Sequence, residues 1–175
     1  AGGDPRPRQN LGDALARLLF LCHRVALHPK LRQRKRACAV ARKVSPRDMS
    51  PFLSHMDIAL AEAEAAALRG EVPVGAVLID PGGRIVARAG NRTRELADPT
   101  GHAEILAIRS ACAALGSERL PGHDLYVTLE PCPMCASAIS QARIARLYYG
   151  AGDPKSGGVA QGPRIFAHSQ SHHVP

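Results

Sequence analysis

The sequence predicts an α/β sandwich: a mixed sheet with an antiparallel hairpin at one side and helices on both faces. Three observations point there. From Met56 onward, helical and strand-like stretches alternate in the order α-β-β-α-β-α-β. The first two strands are joined by the short turn 80-DPGG-83, which suits an antiparallel pair. The last two strands are separated by a helix, the crossover that parallel neighbours need.

Each element follows from local chemistry. Residues 56-MDIALAEAEAAALRG-70 are strong helix formers that run into Gly70, a suitable C-cap. Residues 74-VGAVLI-79 are an apolar strand, and 84-RIVARA-89 alternates polar and apolar on the return strand. Residues 102-HAEILAIRSACAAL-115 are helical and stop at Gly116. A short buried strand, 125-LYVTL-129, leads into the helix 133-PMCASAISQAR-143, whose proline occupies a tolerated first-turn position. The strand 144-IARLYYG-150 closes the series, and its alternation predicts that one of Tyr148 and Tyr149 is core and the other exposed. His123, His168, His172 and His173 read as surface residues.

Composition sets the bounds. The chain has 175 residues, 45% hydrophobic, with no Trp and only 3% aromatics, so the core is built from Ala, Val, Leu and Ile. There is no apolar run long enough to span a bilayer as a helix. Five cysteines in a chain of this size argue for a reducing, cytoplasmic setting rather than a disulfide scaffold. The net charge of +8 suggests nucleic acid, but residues 1–47 hold 12 of the 23 Lys and Arg and only Asp4 and Asp13 of the 15 acids. The remainder is close to neutral. Residues 1–50 therefore read as a basic N-terminal extension, loosely packed or disordered, and 51–175 as the folded domain.

The stretch 129-LEPCPMC-135 sets Cys132 and Cys135 one helical turn apart, which fits a redox pair, half a structural zinc site or half an active site. The partner stretch 98-DPTGHAE-104 decides between them. Both stretches run from a strand into a helix start, and such junctions gather at the carboxyl edge of a sheet, where helix N-termini favour thiolates. His102, Cys132 and Cys135 then supply three zinc ligands, and no fourth protein ligand is evident, which is the donor count of a catalytic site. Glu104 is left as the proton carrier. Residues two apart in a regular helix diverge, so His102 and Glu104 converge only if His102 stands at the helix start, outside regular geometry. The combination H-x-E with P-C-x-x-C is the pattern of zinc nucleobase deaminases.

The chain resembles the bacterial tRNA-specific adenosine deaminases of the cytidine deaminase-like superfamily. The matching text is 71-EVPVGAVLID-80, 90-GNRTRE-95, 98-DPTGHAEILAIR-109, 125-LYVTLEPCPMCASAIS-140, 142-ARIARLYYGAGDPKSGG-158 and 172-HHVP-175. The resemblance implies a three-layer α/β/α fold, one Zn²⁺ per subunit on His102, Cys132 and Cys135, and Glu104 as catalytic residue. It also implies substrate contacts from Asn91, from Glu71, Val72, Pro73 and Val74 in the wall of a base pocket, and from Asp153 and Lys155. The implied reaction is hydrolytic deamination of adenosine to inosine at the wobble position of tRNA, by a homodimer that binds the anticodon stem-loop. The family continues into a last strand and a C-terminal helix that this chain, stopping at Pro175, is expected to lack. Two other readings remain open on the sequence: a deaminase of a free base or nucleotide (guanine, cytosine, dCMP), and a non-catalytic zinc-stabilised RNA-binding module.

Overall fold

Helix α1 spans Met56–Leu68 and buries a stripe of small side chains, Ala59, Ala63 and Ala66, which lets it lie close to the sheet. Strands β1 (Gly75–Ile79) and β2 (Ile85–Gly90) form the expected antiparallel hairpin. Helix α2 covers Ala103–Leu115 and stops at Gly116, which takes the left-handed conformation at φ 62°. Strand β3 (Asp124–Leu129), helix α3 (Pro133–Gln141) and strand β4 (Arg146–Ala151) complete the crossover. The structure, a computed structural model, describes residues 54–175. The expected basic extension 1–50 lies outside the described residues.

The four strands lie in the order β2-β1-β3-β4. Strand β1 is antiparallel to both β2 and β3, and β3 is parallel to β4. Strands β2, β3 and β4 therefore point the same way, and their carboxyl ends share one edge of the sheet. From that edge β2 leads into α2 and β3 leads into α3, so two helix N-termini come to the same place.

Both sheet faces are covered, which is why all five residues of β1 are buried. Ala76, Leu78, Leu125 and Val127 pack with Ala103, Ala107, Ile108 and Ala111 of α2 and with Ile139 of α3. On the other face Val77, Ile79 and Tyr126 pack with Ala59 of α1. The expected mixed-sheet sandwich with helices on both faces is what the chain forms.

Several local expectations are corrected. Tyr148 and Tyr149 are both half-buried, because each sheet face is roofed: Tyr148 stacks on Tyr126 at 4.6 Å under α1, and Tyr149 packs into the opposite core. His123 is buried, its Nδ1 3.1 Å from the Pro121 carbonyl. Helix α3 ends at Gln141 rather than near 143, because Arg143 adopts a left-handed φ of 61°. Asp124 joins β3 because both its carboxylate oxygens accept from Arg146, at 2.8 and 2.7 Å, which ties β3 to β4 at their amino ends. His173 is half-buried rather than superficial. Its backbone N–H donates to Ser140 Oγ at 2.9 Å, and its carbonyl accepts from the same hydroxyl at 2.7 Å. Beyond β4 the described residues hold one short helical turn, Ile165–Ala167.

Candidate active site

The site grows from the two helix starts. His102 is the residue just before α2, with extended backbone (φ −74°, ψ 150°), and its carbonyl accepts the Leu106 N–H at 3.0 Å. Cys132 holds the same place before α3 (φ −67°, ψ 168°), with its carbonyl accepting Ala136 N–H at 2.8 Å. Cys135 lies one turn on and is fully buried. The His102 backbone is therefore outside regular helix, as the convergence of His102 and Glu104 requires.

The three donor atoms meet. His102 Nδ1 stands 3.7 Å from Cys132 Sγ and 3.5 Å from Cys135 Sγ, and all three atoms lie within 4.8 Å of one another. Ligand atoms on a tetrahedral zinc, at about 2.05 Å for nitrogen and 2.3 Å for sulfur, lie about 3.6 Å apart. The donor spacing thus fits one tetrahedral ion. Among the described residues, these three form the only group of His, Cys, Asp and Glu close enough to hold a metal, so the protein offers three ligands and leaves a fourth direction for water.

Electrostatics follow from this packing. The Cys132 thiol is drawn down to about 4, chiefly by its hydrogen bond with the Cys135 thiol and further by His102. Cys135 is pushed up by the same pairing and by burial. The hydrogen bond to Cys132 raises His102. Glu104, 3% exposed, is raised by burial, and its carboxyl lies within hydrogen-bonding reach of the Cys135 thiol. A carboxyl held above its ordinary range beside a metal-ligand group is suited to carrying protons near neutrality.

The other expected site residues separate into two groups. Asn91 is 5% exposed, and its side-chain oxygen accepts the Ala103 N–H at 2.9 Å, fastening the start of α2. One acceptor position is thereby used, and the amide N–H₂ remains to offer. Val72 is half-exposed, Pro73 is partly covered, and Val74 is buried in the core with Ala103. Glu71 is buried, and its carboxylate is engaged within the protein. It turns to the loop ahead of α2, accepting the N–H groups of Arg94 and Glu95 at 2.9 Å each and the Thr93 hydroxyl at 3.0 Å. A buried carboxylate needs several donors, and that loop supplies them. Asp153 accepts the N–H groups of Lys155 and Ser156, so it shapes its own turn, while Lys155 is exposed and forms no ion pair among the described residues.

Sequence reasoning missed Glu130. It is 3% exposed and accepts four backbone N–H groups, from Asp153, Val159, Ala160 and Gln161. A carboxylate wedged between an apolar strand and the Pro-Cys-Pro turn was the available signal.

The comparisons bear on this geometry. The family model described as the cytidine and deoxycytidylate deaminase zinc-binding region matches residues 49–151, which include His102, Glu104, Cys132 and Cys135. The tRNA-specific adenosine deaminase of Agrobacterium fabrum is 65% identical over 120 residues, 69% of this chain and 78% of that protein. This chain belongs to the tRNA-specific adenosine deaminase family. A solved structure from a study of A-to-I editing by tRNA:A34 deaminases at the wobble position of transfer RNA is 65% identical to this deaminase. It matches with a TM-score of 0.67 over 69% of this chain and 92% of that chain. Guanine deaminase from Bacillus subtilis is more distant, at 38% identity and a TM-score of 0.55 over 57% of this chain and 66% of that chain. No helix among the described residues is long and apolar enough to cross a membrane.

Proposed function

We propose that this deaminase hydrolyses the wobble adenosine of a tRNA to inosine, releasing ammonia. The observation that carries the reading is the open three-donor group of His102, Cys132 and Cys135 with buried Glu104 beside it. The relatives that share this chain's sequence at 65% identity supply the substrate class.

Zinc, when held by His102, Cys132 and Cys135, would supply Lewis acidity and bring the pKa of a bound water to about 7. The chain does the rest. Glu104 takes a proton from the incoming water on its carboxyl oxygen and gives it to the ring nitrogen of the adenine as the water oxygen bonds to C6; it then takes the second proton from that new C6 hydroxyl and passes it to the amine, which leaves as ammonia when the C6–N bond breaks. Burial suits it to this, because it must hold and release a proton near neutral pH. The Asn91 N–H₂ donates to an acceptor on the base edge while its oxygen stays on Ala103. Val72 and Pro73 offer apolar surface to a base lifted out of its stack. An anticodon loop is single-stranded, so little pairing energy opposes that lift. Asp153 and Lys155 contact the stem-loop, with Lys155 presenting its charge to phosphate. The working form is a cytoplasmic homodimer.

The test is inosine formation in an anticodon stem-loop RNA carrying adenosine at the wobble position. Turnover of that RNA, with none of free guanine, cytosine or dCMP, is expected. A free base turned over while the RNA is untouched would overturn the reading. The likeness to guanine deaminase is the observation behind that second possibility.

A further inference from the structure

The geometry points to Glu130 as a positioning residue that locks the 152–161 loop against the Cys132 turn and so sets Lys155 for the RNA. The inference rests on the proposed function, in which that loop meets the stem-loop.

Glu130 sits between β3 and the Pro131-Cys132-Pro133 turn and does not touch the reacting atoms in any described contact. Its Oε1 accepts three N–H groups, from Val159 at 3.1 Å, Ala160 at 2.8 Å and Gln161 at 2.9 Å. Its Oε2 accepts Asp153 N–H at 3.1 Å. One carboxylate thus clamps both ends of the loop, and Lys155 lies between the clamped points. The loop is also pinned from the Cys132 side: Gly158 N–H donates to the Pro131 carbonyl at 2.8 Å. The approach is close enough to need glycine. A Cβ on Gly158 would fall 2.6 Å from Pro133 N and 2.9 Å from the Cys132 carbonyl carbon, and one on Gly157 would fall 2.6 Å from Glu130 Cδ. The turn that carries a zinc ligand and the loop that carries Lys155 therefore share one internal support.

Glu130→Gln isolates the Lys155 end. Glutamine keeps one oxygen for residues 159–161 but sets an N–H₂ donor against the Asp153 N–H. We expect amide exchange at 153–156 to quicken, amides 159–161 to stay protected, and one zinc per chain to be retained. KM for the stem-loop RNA should rise about tenfold, the weight of one lost charged contact, with kcat within about twofold of wild type. Lys155→Ala, an exposed change that leaves the clamp intact, should raise KM alike, and the double variant should add little further. Faster exchange at 153–156 with unchanged KM would overturn the inference, as would additive KM effects, an unchanged KM in Lys155→Ala, or zinc loss with a fall in kcat. If wild type fails to deaminate the RNA, the proposed function fails. Exchange and zinc content still decide the clamp, since unaltered exchange in Glu130→Gln contradicts it.

Discussion

Glu104 and Glu71 show how burial gives similar side chains different work. Burial raises Glu104, with the metal-ligand group beside it, and the expected consequence is a proton carrier. Glu104→Ala should cut the deamination rate by about 10²–10⁴-fold while the protein keeps one zinc, measured by metal analysis of the same sample. Zinc loss in that variant would make Glu104 part of metal retention instead. Glu71 goes the other way. The Glu95 N–H foremost, then Thr93 and Arg94, outweigh burial and hold its carboxyl below the ordinary value. A depressed folded-state value means its stabilisation is present above the unfolded carboxyl value of about 4.3 and is lost as pH falls through the folded value. Glu71→Gln should therefore melt lower at pH 7 and lose less stability than wild type between about pH 5 and pH 3. Parallel losses in thermal scans of the two proteins would contradict this.

Between residue and fold stands the start of α2, where one side chain fastens an element and, in the proposed function, also serves the substrate. The Asn91 oxygen accepts the first N–H of the helix, a bond that belongs to stability. In the proposed function its amide N–H₂ serves the substrate. The two roles separate by substitution. Asn91→Asp keeps an acceptor, near a helix N-terminus that favours negative charge, and loses the donor. Asn91→Ala loses both. The alanine variant should be less stable by about 1 kcal/mol by denaturant titration, the aspartate variant close to wild type, and both poorly active. Full activity in Asn91→Asp would remove Asn91 from base recognition. At β3 and β4 the Asp124–Arg146 pair joins parallel strands at their amino ends, opposite the edge that carries the site.

Across the whole molecule, the fold was legible because helices and strands carry different apolar periods and because Gly70, Gly116 and the 80–83 turn punctuate them. The zinc ligands were legible because two short motifs sit at strand-to-helix junctions, which the sheet direction brings together. The fate of Tyr148 was not, since burial on a strand's second face depends on which helix roofs it, nor was that of His123, which lies ahead of β3 with its ring against the Pro121 carbonyl. Nor were the clamps at Glu71 and Glu130, whose donors, the Thr93 hydroxyl apart, are backbone N–H groups 23 to 31 residues away that carry no side-chain signature. The core itself is conventional. Leu78→Ala, at a fully buried position between the sheet and α2, should cost about 2–5 kcal/mol. Zinc K-edge X-ray absorption of the purified protein shows whether His102, Cys132 and Cys135 leave a fourth position open on the metal. Two sulfur ligands at about 2.3 Å and two nitrogen or oxygen ligands at about 2.0–2.1 Å are expected, changing to one sulfur in Cys132→Ser. A closed four-protein-ligand shell, or a zinc shell that Cys132→Ser leaves unchanged, would contradict that expectation.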